Sequence, residues 1–156
     1  MPIAVRLADY AAPADAKAVL DLLDGYARDP MGDGAPLDPV VRSRLLPLLA
    51  ARAGAFSVLA YGQDAPVGLA NCFEGFSTFA AKPLINIHDV FVTPAARGRG
   101  VVGALFAEIA RIGRARGCCK ITLEVLATNV RAQAAYRREG FGGSAATLFW
   151  QKKLAP

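Results

Sequence analysis

Apolar residues recur along this chain with two distinct periods, and each change of period marks a change of element. Pro2 to Ala8 alternates weakly and predicts a short strand. Val19, Leu20, Leu23 and Tyr26 fall at helical spacing and predict a helix over 14–28, entered through a proline. The run DPMGDGAP breaks it. A second helix is expected from Asp38 to Arg52, with Asp38 as N-cap and Pro39 at the first helical position; Pro47 should kink or shorten it. The period then drops towards two. AFSVLAYG (55–62), VGLANCFEGFSTF (67–79) and LINIHDVFV (84–92) read as three strands, joined by the turns GQDAP and AAKP. From Gly100 the helical period returns through Val102, Leu105, Phe106, Ile109 and Ile112, and Gly117 ends it. KITLEVL (120–126) predicts a strand, NVRAQAAYRREG a short helix stopped by glycine, and TLFWQKKL (147–154) a last strand. An antiparallel meander followed by β-α-β-α-β is a mixed α/β arrangement, expected as one domain over 1–156.

Composition narrows the class. The chain is 54% hydrophobic, much of it alanine, yet no apolar run approaches the roughly 18–20 residues of a membrane span. The N-terminus has no charged start followed by an apolar block, so no signal peptide is expected. Three cysteines, with Cys118 and Cys119 adjacent, make no disulfide framework, and one histidine completes no common zinc pattern. A cytoplasmic protein without a metal is the expectation. The net charge of +5 is uneven. Residues 1–50 hold seven aspartates against five Lys/Arg, whereas residues 97–139 hold eight arginines and Lys120 against three glutamates. The basic half points to an anionic partner.

Arg97-Gly98-Arg99-Gly100, followed by Gly103, contains the letters of a dinucleotide fingerprint, G-x-G-x-x-G. Its position argues against that use. The fingerprint belongs directly after a first strand, but here TPAA and Arg97 intervene after Val92, and the preceding strands read as hairpins. Only 53 residues follow Gly103, too few for the rest of a doubly wound sheet. A loop for an exposed pyrophosphate fits better: glycines admit phosphate oxygens to main-chain N–H groups, the helix start adds partial positive charge, and arginines add charge-assisted bonds.

VFVTPAARGRG resembles the acetyl-CoA-binding motif of the GCN5-related N-acetyltransferase (GNAT) superfamily, V-x-P followed by Q/R-x-x-G-x-G/A. Asn129, Ala134, Tyr136 and Gly140-Phe141 match the family's next signature, N…A…Y…GF. The resemblance implies a central mixed, mostly antiparallel sheet flanked by about four helices. It implies that Arg97, Gly98, Arg99, Gly100, Val101 and Val102 cradle the coenzyme A pyrophosphate. Val102 departs from the glycine or alanine usual at that position. The strand through Val90, Phe91 and Val92 is implied to pair with the pantetheine arm, and a donor near Val90 to polarise the thioester. Asn129 is implied to bond the arm, a role compatible with capping a helix. Tyr136 is implied to protonate the leaving thiolate, with Tyr136 also lining the cofactor site. INIHDVFV is similar to the diamine and polyamine branch, which has an acidic pair where this chain has His88-Asp89.

The acceptor amine must lose a proton to attack. Asp89, His88 or Glu124 is each a candidate base, and adjacent strand residues face opposite ways unless a bulge intervenes. A cysteine nucleophile at Cys118 or Cys119 is disfavoured, since attack is normally direct. Asp24, Asp29, Asp33 and Asp38 lie where the family lines its acceptor cleft, and would attract a cationic amine; equally, Asp29 and Asp33 read as turn residues and Asp38 as a cap. The leading expectation is acetyl transfer from acetyl-CoA to a primary amine of a small molecule such as a diamine, polyamine or amino acid, with no nucleic acid or membrane partner. A homodimer is a candidate assembly. Acetylation of a protein N-terminus or lysine, a basic binding module without turnover, and a dinucleotide oxidoreductase are the alternatives.

Overall fold

The computed structural model describes residues 2–143 and 146–154. Five strands, β1 (Ile3–Leu7), β2 (Ala55–Gly62), β3 (Ala65–Ser77), β4 (Lys82–Val92) and β5 (Ile121–Leu123), form one sheet in the order β1-β2-β3-β4-β5. The first four pair antiparallel, and β5 joins β4 in parallel. The helices are α1 (Pro13–Arg28), α2 (Pro39–Ala51), α3 (Val101–Ala115) and α4 (Val130–Arg138), with α3 making the crossover from β4 to β5. This is the mixed α/β order that the alternation of periods predicts, with the mostly antiparallel sheet and four helices that the resemblance implies.

Successive strand residues face opposite sides, so the sheet builds two cores. On one face Val58 and Ala60 of β2, Ala70 and Cys72 of β3, and Ile85 and Ile87 of β4 pack with Val101, Leu105, Ile109 and Ile112 of α3. On the other, Leu59, Leu69 and Phe91 meet Ala18, Val19 and Leu22 of α1 and Leu46 of α2. Each fully buried Val, Leu, Ile or Phe in these layers is worth about 1.5–3 kcal/mol. Asp38 caps α2 by accepting from the amides of Val40 at 2.7 Å and Val41 at 3.4 Å. Pro47 does not shorten α2, which runs on to Ala51. The proline is solvent-exposed while Leu46 and Leu49 beside it are buried, so packing outweighs the missing hydrogen bond.

Two expectations at the C-terminal end are corrected. β5 covers three residues of the expected 120–126, and no strand forms over 147–154, where Leu148, Phe149, Trp150 and Leu154 are exposed. Alternation reports only that side chains suit a pleated surface; a strand also needs a partner edge, and three residues of β5 offer little of one.

Asp15 is the one buried carboxylate of the described core, and it ties β1 to α1. Arg6 donates to both of its oxygens at 2.6 Å, with further bonds from the Asp9 amide at 2.9 Å and the Tyr61 hydroxyl at 3.1 Å. The Arg6 hydrogen bonds, working against desolvation, bring the carboxyl down to about 2. An unfolded aspartate titrates near ~3.9. The stabilisation is therefore complete above that value and is lost as pH falls towards 2. Asp15→Ala is expected to cost about 2–4 kcal/mol at neutral pH, a figure reduced for the exposure of Arg6, and to flatten the acid loss of stability between about pH 4 and 2. Urea unfolding across that range checks both effects.

Candidate active site

β4 and β5 run together only where Ile85–Ile87 pair with Ile121–Leu123. Beyond Ile87 the strands part, and the cause is visible in the other register of β4. Asp89 pairs with Asn71 and Ile87 with Cys72, so His88 is an extra residue, a β-bulge that bends the strand. The Thr93 amide donates to the Val67 carbonyl at 2.9 Å. By antiparallel alternation, Phe91 and Asp89 then bond to β3, while Val90 and Val92 turn their main-chain groups to the open edge. The Val92 carbonyl accepts from Arg97 Nε at 3.1 Å, as that geometry requires. The result is a cleft with main-chain groups of Val90 and the Val92 amide along one wall, the Val92 carbonyl being taken by Arg97.

At the end of that wall a 3-10 turn (Pro94–Ala96) leads through Arg97–Gly100 into α3. Gly98 and Gly100 have φ of +77° and +80°, a region that L side chains rarely adopt. A Cβ at either would meet nothing within 4 Å, so the loop is open to an incoming group. Gly100 caps α3 without a side chain, and the first-turn amides of Val101, Val102 and Gly103 have no acceptor within the helix. These donors and the helix dipole suit a phosphate. Val102 packs its side chain, partly buried, against the core beneath α3.

The Arg97 side chain is engaged by neighbouring elements. Its guanidinium pairs with Asp29 at 2.6 Å and lies 5.9 Å from the centre of the Phe91 ring, which ties the loop to the end of α1. Arg99 is exposed.

Tyr136 sits on α4 with its ring against Phe106 and Phe141, centroids 5.4 and 6.4 Å away. Burial first, and then the neighbouring Tyr26 phenol, push its hydroxyl up to about 12. No hydrogen bond from that hydroxyl forms among the described residues, and it is not sealed from solvent. Tyr26 of α1, stacked on Phe91 with centroids 6.2 Å apart, is itself raised by burial and then by the charges of Asp89, Asp29 and Asp33. The Tyr26 phenol thus feels the Asp89 charge on one side and itself raises Tyr136 on the other. Asn129 caps α4, its Oδ1 accepting from the Ala132 amide at 3.1 Å while its Nδ2 makes no bond among the described residues.

The sequence profile of the acetyltransferase (GNAT) family matches residues 19–141. The chain belongs to this family. Streptothricin acetyltransferase of Streptomyces lavendulae is 38% identical over 69 residues, 44% of this chain and 36% of that protein. Thialysine N-epsilon-acetyltransferase of Bos taurus is 30% identical over 74 residues, 47% of this chain and 43% of its own length. The matched stretch thus spans half or less of the curated relatives. In three dimensions a transcriptional regulator from Bacillus halodurans C-125 superposes with a TM-score of 0.81 at 20% identity, covering 98% of this chain and 100% of that one. That likeness shows a shared fold.

The remaining predicted residues separate. Phe91 turns its backbone to β3 and buries its ring under α1, away from the open edge. His88 is exposed at the bulge, its ring edge-on to Phe73 with centroids 5.5 Å apart. Glu124 is exposed and lies past the end of β5, not inside a strand as expected, because the strand stops at Leu123. Of the acidic group, Asp24 pairs with Arg28 and accepts from the Leu37 amide, Asp29 pairs with Arg97, and Asp38 caps α2. Three of these four carboxylates therefore serve local structure. Among the described residues no cluster of three or more His, Cys, Asp or Glu is placed to hold a metal, and no helix is long and apolar enough to cross a membrane. Sequence reasoning missed Tyr26, read only as part of an apolar face, and Asn71, whose signal was a polar residue inside the apolar run VGLANCF.

Proposed function

We propose that this GNAT-family chain transfers the acetyl group of acetyl-CoA to a primary amine of a small molecule, by direct attack in a ternary complex. The observation that carries this reading is the open edge of β4 running straight into the glycine loop at the start of α3. An extended pantetheine arm adds to that edge through Val90 and Val92, as a peptide adds to a sheet, and the pyrophosphate meets the amides from Gly98 to Gly103. Asn129 Nδ2 is available to the same arm. The Val90 amide, turned to the cleft, is the donor for the thioester oxygen.

On this reading the acceptor arrives as an ammonium and gives one proton to Asp89. Its nitrogen then forms a bond to the thioester carbon, and the C–S bond breaks. The departing thiolate takes the Tyr136 phenolic proton. The second proton, lost from the nitrogen as it becomes an amide, restores Tyr136 through water, and Asp89 returns its proton to solvent. The net reaction releases one proton. With Asp24, Asp29 and Asp38 engaged, the attraction for a second positive charge falls to Asp33 and Asp89, so a diamine or lysine-like amine is favoured only modestly over a neutral one. The name thialysine N-epsilon-acetyltransferase, borne by a relative, is in line with such an acceptor.

Free-thiol release from acetyl-CoA across a panel of diamines, polyamines, amino acids, aminoglycosides and a lysine peptide tests the proposal. Release with at least one small amine, absent without enzyme, is the expected result. Saturable acetyl-CoA binding with no release across the panel would favour a binding module instead.

A further inference from the structure

Behind Asp89 a line of hydrogen bonds crosses three strands. Asn71 Nδ2 of β3 donates to Asp89 Oδ2 at 2.9 Å, and Ser57 Oγ of β2 donates to Asn71 Oδ1 at 2.6 Å. The Tyr10 hydroxyl lies 2.7 Å from Ser57 Oγ. The direction of this chain is forced. Only an N–H can face an ionised carboxylate, so the Asn71 carbonyl oxygen must face Ser57. Ser57 has one proton, and that carbonyl takes it. Tyr10 must then donate to Ser57. Three donors in series all point towards Asp89. Ser57 and Asn71 are buried, at 0% and 4% exposure, so neither exchanges these bonds for water. Burial raises the Tyr10 phenol, which keeps its proton available for the chain.

We propose that Asn71 is a positioning residue for Asp89, and that the Tyr10–Ser57–Asn71 chain fixes one Asp89 oxygen against the sheet so that the other can face the acceptor amine. The inference rests on the reading of Asp89 as the base. Every proton in the chain is directed at Asp89, so the hydrogen bonds fix the carboxylate's orientation from behind. Protonation of Asp89 would require the amide to turn over and each hydroxyl behind it to reverse. The bulge is what makes the link possible: the extra residue, His88, restores Asp89 to the face carrying Asn71 and Ser57, where Leu59, Leu69 and Phe91 also lie.

Other titratable and charged groups share this region: Tyr26 of α1, which feels Asp89 together with Asp29 and Asp33, Cys72 of β3, which feels Asp89 and Arg116, the Asp29–Arg97 pair, and the adjacent His88. None of them is altered by a change at Ser57, which makes Ser57→Ala the cleaner variant. The test is the pH profile of kcat/KM for the amine in wild type, Ser57→Ala and Asn71→Leu, with Asp89→Asn as reference. Ser57→Ala should move the low-pH limb upward by about half a unit to one unit, and Asn71→Leu by about one to two, since each loses part of the support for the carboxylate. KM for acetyl-CoA should stay unchanged in both. If Asn71→Leu does not fold, Ser57→Ala alone carries the test. A limb abolished by Asp89→Asn but unmoved in the other variants would overturn the positioning role and leave the base in place. A limb that persists in Asp89→Asn would overturn the base, and this inference with it.

Discussion

Tyr136→Phe is expected to lower kcat by about ten- to a thousandfold while the KM for acetyl-CoA changes little. The argument runs from burial to chemistry. Packing against Phe106 and Phe141 fixes the ring, and the apolar setting, with the Tyr26 phenol nearby, raises the hydroxyl to about 12. The proton is therefore held throughout the neutral range and is present when a thiolate forms. The hydroxyl has no partner among the described residues that would have to be given up first. Phenylalanine keeps the ring contacts, so the fold and cofactor cleft should survive. General-acid groups contribute roughly 10²–10⁴, and water can replace part of that, hence the wider and lower range. Steady-state kinetics with thiol detection, beside a melting curve, decide the matter. An unchanged kcat, with single-turnover data showing that chemistry limits the rate, would reduce Tyr136 to packing.

Much of the fold was legible because its elements announce themselves through period and punctuation. The strand expected over 55–62 is Ala55–Gly62, and the helix expected over 14–28 is Pro13–Arg28. Both segments satisfy their pattern through contacts the pattern itself implies, the helix giving one face to one core and the strand a face to each. The misses share a different cause. Whether TLFWQKKL becomes a strand depends on an edge supplied by another segment, and β5 is too short to supply it. Pro47 does not shorten α2 because the burial of Leu46 and Leu49, a tertiary fact, carries the helix past it. The site divides in the same way. The glycine loop and Tyr136 are carried by local motifs, whereas the bulge at His88 is defined only by the register with β3, and the link from Tyr10 to Asp89 by four residues on separate segments. Arg97 shows the limit of charge counting: its side chain answers Asp29, sixty-eight residues away, before any ligand arrives.

Asp89→Asn carries the other large effect, and its signature lies in the pH dependence. The substituted side chain keeps a carbonyl oxygen that can still accept from Asn71 Nδ2, so the cross-strand chain and the bulge should remain intact. What is lost is the ability to take a proton. An alkyl ammonium with a reference value near 10.4 is neutral in only about one part in a thousand at pH 7.4. Without a base, attack depends on that fraction, and kcat/KM for the amine should fall by about 10²–10³-fold at neutral pH, within the usual range for general-base groups. The deficit should shrink by about tenfold for each unit the pH is raised, until it nearly disappears around pH 9–10. Acetyl-CoA affinity should be unaffected, because in the proposed function the edge of Val90 and Val92 and the glycine loop, not Asp89, hold the cofactor. Parallel profiles for wild type and variant from pH 6 to 9.5 would remove Asp89 from the chemistry and turn attention to His88, exposed beside it at the bulge.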